Sequence, residues 1–245
     1  MFEITIPLPV IRTGFFRCKE RGYSMADIME LFKKISSGSA ETAGGAPEYI
    51  ICGLGNPGDK YAHTRHNAGF LAMDYLSEKC SIPVRRVRFK SLIGEGTVDG
   101  KRVPFMKPQT FMNASGEAVK EAADFYKIPM EKIIVFSDDV NFAPGCMRIR
   151  KSGSDGGQKG LRSIITLMNS DQFPRVRIGV GEKPSREYDM ADWVLGKLSD
   201  ADCKAMYPCL EASYEIIRLI MAGKTEDAMG RYNGMKPAPK EEKAE

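Results

Sequence analysis

The sequence predicts a single α/β domain, with one mixed, mostly parallel β-sheet flanked by helices. Three observations carry this expectation. Short apolar runs alternate with longer segments whose apolar residues recur at helical spacing. The apolar share of 42% is enough for a core. The chain of 245 residues has room for one good-sized domain or two small ones, and no internal repeat divides it.

The elements follow in order. Tyr49–Leu54 is a short apolar run that ends in the turn Gly53-Leu54-Gly55-Asn56-Pro57-Gly58, and reads as the first strand. Asn67–Lys79 reads as a helix, with Phe70, Met73 and Leu76 on one face. Arg102–Met106 is the next strand. Ser115–Tyr126 is a helix with Ala118, Ala122 and Phe125 in register and Ser115 as candidate cap. Lys132–Ser137 and Cys146–Arg150 are strands, and Gly160–Met168 is a helix opened by a Gly-rich loop. Val176–Val180 is the last strand. Ala201–Ala222 is the longest helix, with Met206, Leu210, Ser213, Ile217 and Met221 at helical spacing.

The ends differ from this middle. Residues 1–46 form an N-terminal extension. Its Met25–Ile35 segment suits a short amphipathic helix, and Ser36 to Pro47 reads as a flexible linker. Met25 or Met29 is a candidate translation start. The folded domain is expected over residues 47–234. Residues 235–245, rich in Pro, Lys and Glu, are expected to be a disordered tail. The apolar patch Ile4 to Ile11 is interrupted by Pro7 and Pro9 and lacks a basic start, which makes a poor signal peptide. No apolar stretch approaches the ~20 residues of a membrane span.

The net charge of +4 permits nucleic-acid binding without demanding it. None of the six cysteines forms a C-x-x-C pair, so no zinc site is expected. Buried thiols in a reducing cytoplasm are the simpler reading.

Chemistry is concentrated in a few loops. The only histidines are His63 and His66, in a polar segment with Tyr61, Arg65 and Asn67. Imidazole is the side chain whose unperturbed pKa suits proton transfer near neutrality, so any imidazole base is already located. Such a base needs a second group to fix its tautomer. Asp138 or Asp139, ending the apolar run Ile133 to Ser137, supplies a carboxylate at the C-terminal edge of a sheet, where α/β sites form. The residues alone leave both open, together with roles as a metal ligand or helix cap.

Gly53-x-Gly55-x-x-Gly58 matches the dinucleotide fingerprint in letters. That fingerprint needs a helix beginning within its glycines and an acid ending a second strand roughly 20 residues on. Here loop continues through Tyr61, and Asp74 falls mid-helix, so a substrate-binding or structural turn is the better reading. Phe111-Met112-Asn113, before a helix, suits stacking and hydrogen bonding to a base or ribose. Arg148, Arg150 and Lys151 precede Gly153-Ser154-Asp155-Gly156-Gly157-Gln158-Lys159-Gly160, and Arg162, Arg175 and Arg177 follow. A Gly-rich loop at a helix start beside basic residues favours phosphate over a merely solvated face.

Taken together these segments resemble bacterial-type peptidyl-tRNA hydrolases. The matching pieces are Gly53 to Gly58, Tyr61 with Thr64 to Gly69, Lys107 to Gly116, Asp138-Asp139, Pro144-Gly145, the Gly-rich loop, Arg177 to Gly181 and Val194 to Gly196. They run in order from about Tyr49 to Asn233. The resemblance implies a single α/β globule without metal or cofactor. The implied reaction is hydrolysis of the ester joining a peptide to the 3′-terminal ribose of tRNA, which recycles tRNA from aborted translation. It implies His66 as the base that activates water and Asp138 as the acid that orients it. Asn56 would sense the N-blocked aminoacyl group. Tyr61, Phe111 and Asn113 would line the groove for peptide and CCA end, and Arg150 and Arg177 would grip the 5′ phosphate region of the tRNA. No membrane partner is implied, and a monomer is the default.

One departure stands out. Where the family usually has His-Asn in the Gly-rich loop, this chain has Gln158-Lys159. Lysine only donates hydrogen bonds. Lys159 is suited to hold a phosphate or a developing oxyanion, but it cannot orient a water through a carbonyl. Two rival readings make distinct predictions. A member that binds tRNA without turnover would retain it uncleaved, and an NAD-type enzyme would bind dinucleotide tightly.

Overall fold

A computed structural model describes residues 45–236. The expected Met25–Ile35 helix, the alternative starts, Cys18 and most of the linker and tail lie outside the described residues. Seven strands form one sheet: β1 (Ile50–Gly53), β2 (Arg86–Arg88), β3 (Ser91–Val98), β4 (Lys101–Pro108), β5 (Ile133–Asp139), β6 (Met147–Arg150) and β7 (Arg175–Gly179). Their order is β2-β3-β4-β1-β5-β7-β6. The central pairs β4–β1, β1–β5 and β5–β7 are parallel. The outer pairs β2–β3, β3–β4 and β6–β7 are antiparallel. The sheet is therefore mixed as expected but not mostly parallel: three of its six pairings are parallel, and they lie at the centre.

The helices are α1 (Ala68–Lys79), α2 (Ser115–Tyr126), α3 (Lys159–Met168), α4 (Met190–Leu195), α5 (Asp200–Met221) and α6 (Thr225–Tyr232). β1 up to Cys52 and β5 from Ile133 to Phe136 are apolar at every position because both faces are covered. Ile51, Phe105, Ile134 and Phe136 pack in the cluster with α1 and α5. Their neighbours Ile50, Met106, Ile133 and Val135 pack in the cluster with α2 and α3. The alternation is the strand period of two.

Four further expectations are corrected. The β2–β3 hairpin was not foreseen. Gly94 and Gly96 thin the apolar pattern of β3 because a side chain at Gly94 would come within 2.5 Å of the Pro83 carbonyl oxygen. The short α4 and the terminal α6 were also missed. Ser115 is not a cap: it is buried in the first turn of α2, and its hydroxyl donates to the Met112 carbonyl at 2.9 Å. Of the five cysteines described, Cys52 and Cys209 are buried, but Cys203 is exposed. Among the described residues no helix is long and apolar enough to cross a membrane.

Two glycines set where the molecule can react. A Cβ on Gly53 would lie 2.2 Å from the Gly69 carbonyl oxygen, and one on Gly69 would lie 2.4 Å from that of Phe136. Only bare backbone lets the start of α1 sit against the ends of β1 and β5. Gly69→Ala is expected to lower stability by about 1–3 kcal/mol through overpacking. Urea unfolding checks this, and an unchanged midpoint would contradict the close approach.

Candidate active site

The connection from β1 leads to α1 on one face of the sheet, and that from the adjacent β4 leads to α2 on the other. Diverging connections from neighbouring parallel strands open a crevice at their C-terminal ends. A cleft of about 540 Å³ lies there. Asn56, His66, Asn113, Asp138, Lys159 and Arg177 are in its lining, and Tyr61, Phe111 and Arg150 are not.

His66 lies in a 3-10 turn, Arg65–Asn67, just before α1. Its Nδ1 is 2.9 Å from Asp138 Oδ2 at the end of β5. Both residues are buried, at 7% and 2% exposure. The other oxygen, Asp138 Oδ1, accepts from Gln158 Nε2 at 2.9 Å. A carboxylate can only accept, so with Asp138 in that form the shared proton sits on His66 Nδ1. That leaves the Nε2 lone pair without a protein partner among the described residues. Asp138, not Asp139, is therefore the carboxylate that fixes the imidazole. Asp139 turns elsewhere, accepting from the backbone N–H and side-chain amide of Asn141 at 2.9 Å each and pairing with Arg177 Nε at 3.0 Å.

Asn56 is positioned from two sides. Asn67 clamps its backbone, accepting from Asn56 N at 2.8 Å and donating to Asn56 O at 3.0 Å. Asn56 Oδ1 accepts from Met112 N at 2.8 Å. Its oxygen is engaged by Met112, while its N–H donors have no partner among the described residues. The glycines of the first turn are explained by packing. A Cβ on Gly55 would come 2.5 Å from the Phe70 ring, and Gly58 has φ of 102°. No helix starts among them; a 3-10 turn, Asp59–Tyr61, follows. That removes the structural requirement of the dinucleotide fingerprint.

The basic residues separate by location. Arg175 is in the core, where burial pushes its guanidinium down to about 10. It donates to the carbonyls of Gly153, Ser154 (3.3 Å) and Asp171 (2.5 Å), stacks 3.9 Å from the Phe173 ring, and so holds the Gly-rich loop. Arg177 is held by Asp139 beneath Gly156, where a Cβ would lie 2.6 Å from its Nη2. Arg150 is exposed on the edge strand β6, and Lys159 is exposed on the first turn of α3. Tyr61 is half-buried, with the Lys60 ammonium 4.7 Å from its ring centre, and Phe111 is 60% exposed.

The opposite wall is Met190, Val194 and Leu195 of α4. Arg65 ties this wall to the His66 turn. Its guanidinium lies 3.6 Å from the Trp193 ring centre and donates to Lys197 O at 3.0 Å. Sequence reasoning missed Asn67 and Gln158 as builders of the site, and α4 as its wall. Asn67 and Gln158 were visible as amides beside functional residues, but nothing in the sequence shows which atoms they reach.

Along most of its length the chain is similar to proteins of one family. A family model described as peptidyl-tRNA hydrolase matches residues 50–242. The chain is 52% identical over 186 residues to the peptidyl-tRNA hydrolase of Caldanaerobacter subterraneus subsp. tengcongensis, covering 76% of this chain and 100% of that protein. It is 47% identical, with the same coverage, to the peptidyl-tRNA hydrolase of a Thermoanaerobacter species. A crystal structure of peptidyl-tRNA hydrolase from Acinetobacter baumannii aligns with a TM-score of 0.74 at 34% identity, covering 80% of this chain and 100% of that one. With a cleft built around a carboxylate-held imidazole and this similarity along the whole catalytic region, the chain belongs to the peptidyl-tRNA hydrolase family.

Proposed function

We propose that the protein hydrolyses the ester between peptide and tRNA with His66 as general base. The observation that carries this reading is the 2.9 Å contact of His66 Nδ1 with buried Asp138, which leaves Nε2 unpartnered in the cleft. Nε2 takes a proton from water, and the resulting hydroxide attacks the ester carbonyl carbon. The tetrahedral intermediate collapses, and the ribose 3′ oxygen leaves with the proton returned by the imidazolium. An ester has a good leaving group, so no covalent intermediate on the enzyme is needed. The intact His66–Asp138 pair favours turnover over tRNA binding alone.

Substrate choice follows from donors and acceptors. Asn56 presents N–H groups, which suit the carbonyl of a peptide bond. A free aminoacyl group ends instead in an ammonium, which also only donates. Asn113, at the cleft mouth before α2, suits the terminal ribose, and exposed Phe111 and Tyr61 extend the surface toward the CCA end. Lys159 and Arg150, both exposed, suit phosphate contacts, which would make tRNA affinity salt-dependent. The protein acts as a cytoplasmic monomer in this reading.

Hydrolysis of N-acetyl-aminoacyl-tRNA, with the unblocked aminoacyl-tRNA as control, tests it. His66→Ala is expected to lower kcat by about 10²- to 10⁴-fold while sparing tRNA affinity. Asn56→Ala is expected to narrow the preference for the blocked substrate. Unchanged kcat in the His66 variant would refute the base assignment. Arg177→Met separates bracing from phosphate contact. Stranding buried Asp139 without its partner should cost about 3 kcal/mol or more in chemical denaturation. An unchanged midpoint, with weakened tRNA binding, would make Arg177 a phosphate ligand first.

A further inference from the structure

Gln158 is the residue that the proposed chemistry has not yet used. It occupies the N-cap of α3 and is 6% exposed. Its carbonyl Oε1 accepts from the backbone N–H of Leu161 at 2.7 Å, satisfying one of the free donors at the helix start. Capping needs only this oxygen, which a shorter polar side chain could also supply. The Nε2 group does something different. It donates to Asp138 Oδ1 at 2.9 Å and lies 3.2 Å from Met112 Sδ. The amide is thus specified at both ends. Flipping it would set a carbonyl against a carboxylate and leave the cap empty.

We propose that Gln158 is a positioning residue for the Asp138–His66 pair. Its N–H holds Asp138 Oδ1, so Oδ2 faces His66 and the imidazole proton stays on Nδ1. The proposal rests on His66 as base and deepens that reading. The same side chain fixes the start of α3, so the frame of the Gly-rich loop and the aim of the carboxylate are joined in one amide. Gly160 makes room for the arrangement: a Cβ there would lie 2.6 Å from Met112 Sδ and 3.1 Å from Gln158 Oε1. Because the donor is an amide, it does not titrate, and Asp138 keeps it at every pH at which the protein is folded.

Two substitutions separate cap from donor. Gln158→Glu keeps an oxygen for the Leu161 N–H and replaces the amide donor facing Asp138. Gln158→Met removes both. Two quantities are read in each: steady-state hydrolysis of N-acetyl-aminoacyl-tRNA, and the imidazole ¹⁵N resonances of His66 in substrate-free protein. Both variants are expected to lose kcat by about 10- to 100-fold, the cost of a slightly misplaced catalytic group, with KM little changed. Both should move the ring signals away from a pure Nδ1–H tautomer and lower the unfolding midpoint, the glutamate variant by setting a second carboxyl group against buried Asp138 and the methionine variant by emptying the cap. If Gln158→Met lowers the midpoint yet leaves kcat and the ring nitrogens as in the parent protein, Gln158 is a helix cap and the proposal fails. If the ring signals shift while kcat does not, the positioning role stands and His66 is not the base.

Discussion

The carboxylate of Asp138 is buried at the end of β5, and both its oxygens accept hydrogen bonds, one from His66 and one from Gln158. A charge so placed is tolerable only if it is hydrogen-bonded, because burial without partners costs more than most single interactions return. Satisfying it drew three separate parts of the chain together. The turn before α1 delivers His66, the end of β5 delivers the acid, and the loop before α3 delivers Gln158. Glycines at 53, 69 and 160 remove the side chains that would keep these parts at a distance. The imidazole is aimed because the carboxylate is.

A second set of bonds runs alongside. Met112 receives Gln158 at its sulfur and gives its own N–H to Asn56, and Asn56 is gripped by Asn67, the residue after His66. The proposed base and the amide proposed to sense the blocked substrate are therefore neighbours in one network. A disturbance at either is felt by the other, since coupled polar groups share their partners. The apolar wall of α4 is tied in where Arg65 stacks on Trp193 and donates to Lys197 O, and where the Trp193 indole N–H donates to Gly181 O.

Much of this is legible in the sequence. Ile133 to Phe136 reads as a buried strand because it is apolar at every position, and acids placed after such a run fall at the sheet edge where sites form. The rarity of histidine located the imidazole that meets the acid. The sequence could not show which of Asp138 and Asp139 meets it, because successive strand residues point to opposite faces and one residue of register decides. Ser115 was misread because serine before a helix usually caps it, whereas here a 3-10 turn precedes the helix and the hydroxyl turns back to Met112. The β2–β3 hairpin escaped because its turn uses Phe89 and Lys90 at φ of 51° and 50°, without the Asn-Gly signal that such turns normally carry. By contrast the β3–β4 turn, Asp99-Gly100, does carry that kind of signal, and the glycines within β3 hid the strand leading to it. Arg175 looks like a phosphate ligand because it is basic and lies among other basic residues, but its buried side chain serves carbonyls of the Gly-rich loop. Arg177 lines the cleft and also pairs with a buried acid, a partner that no spacing rule reveals.

The account stands on Asp138 acting through His66 and not by contacting substrate itself. A double-mutant cycle on kcat/KM, comparing Asp138→Asn, His66→Ala and the pair, measures this most directly. If the acid works through the imidazole, Asp138→Asn causes a large loss alone and almost none in the His66→Ala background. Additive losses would contradict the account and give the carboxylate a role of its own in the reaction.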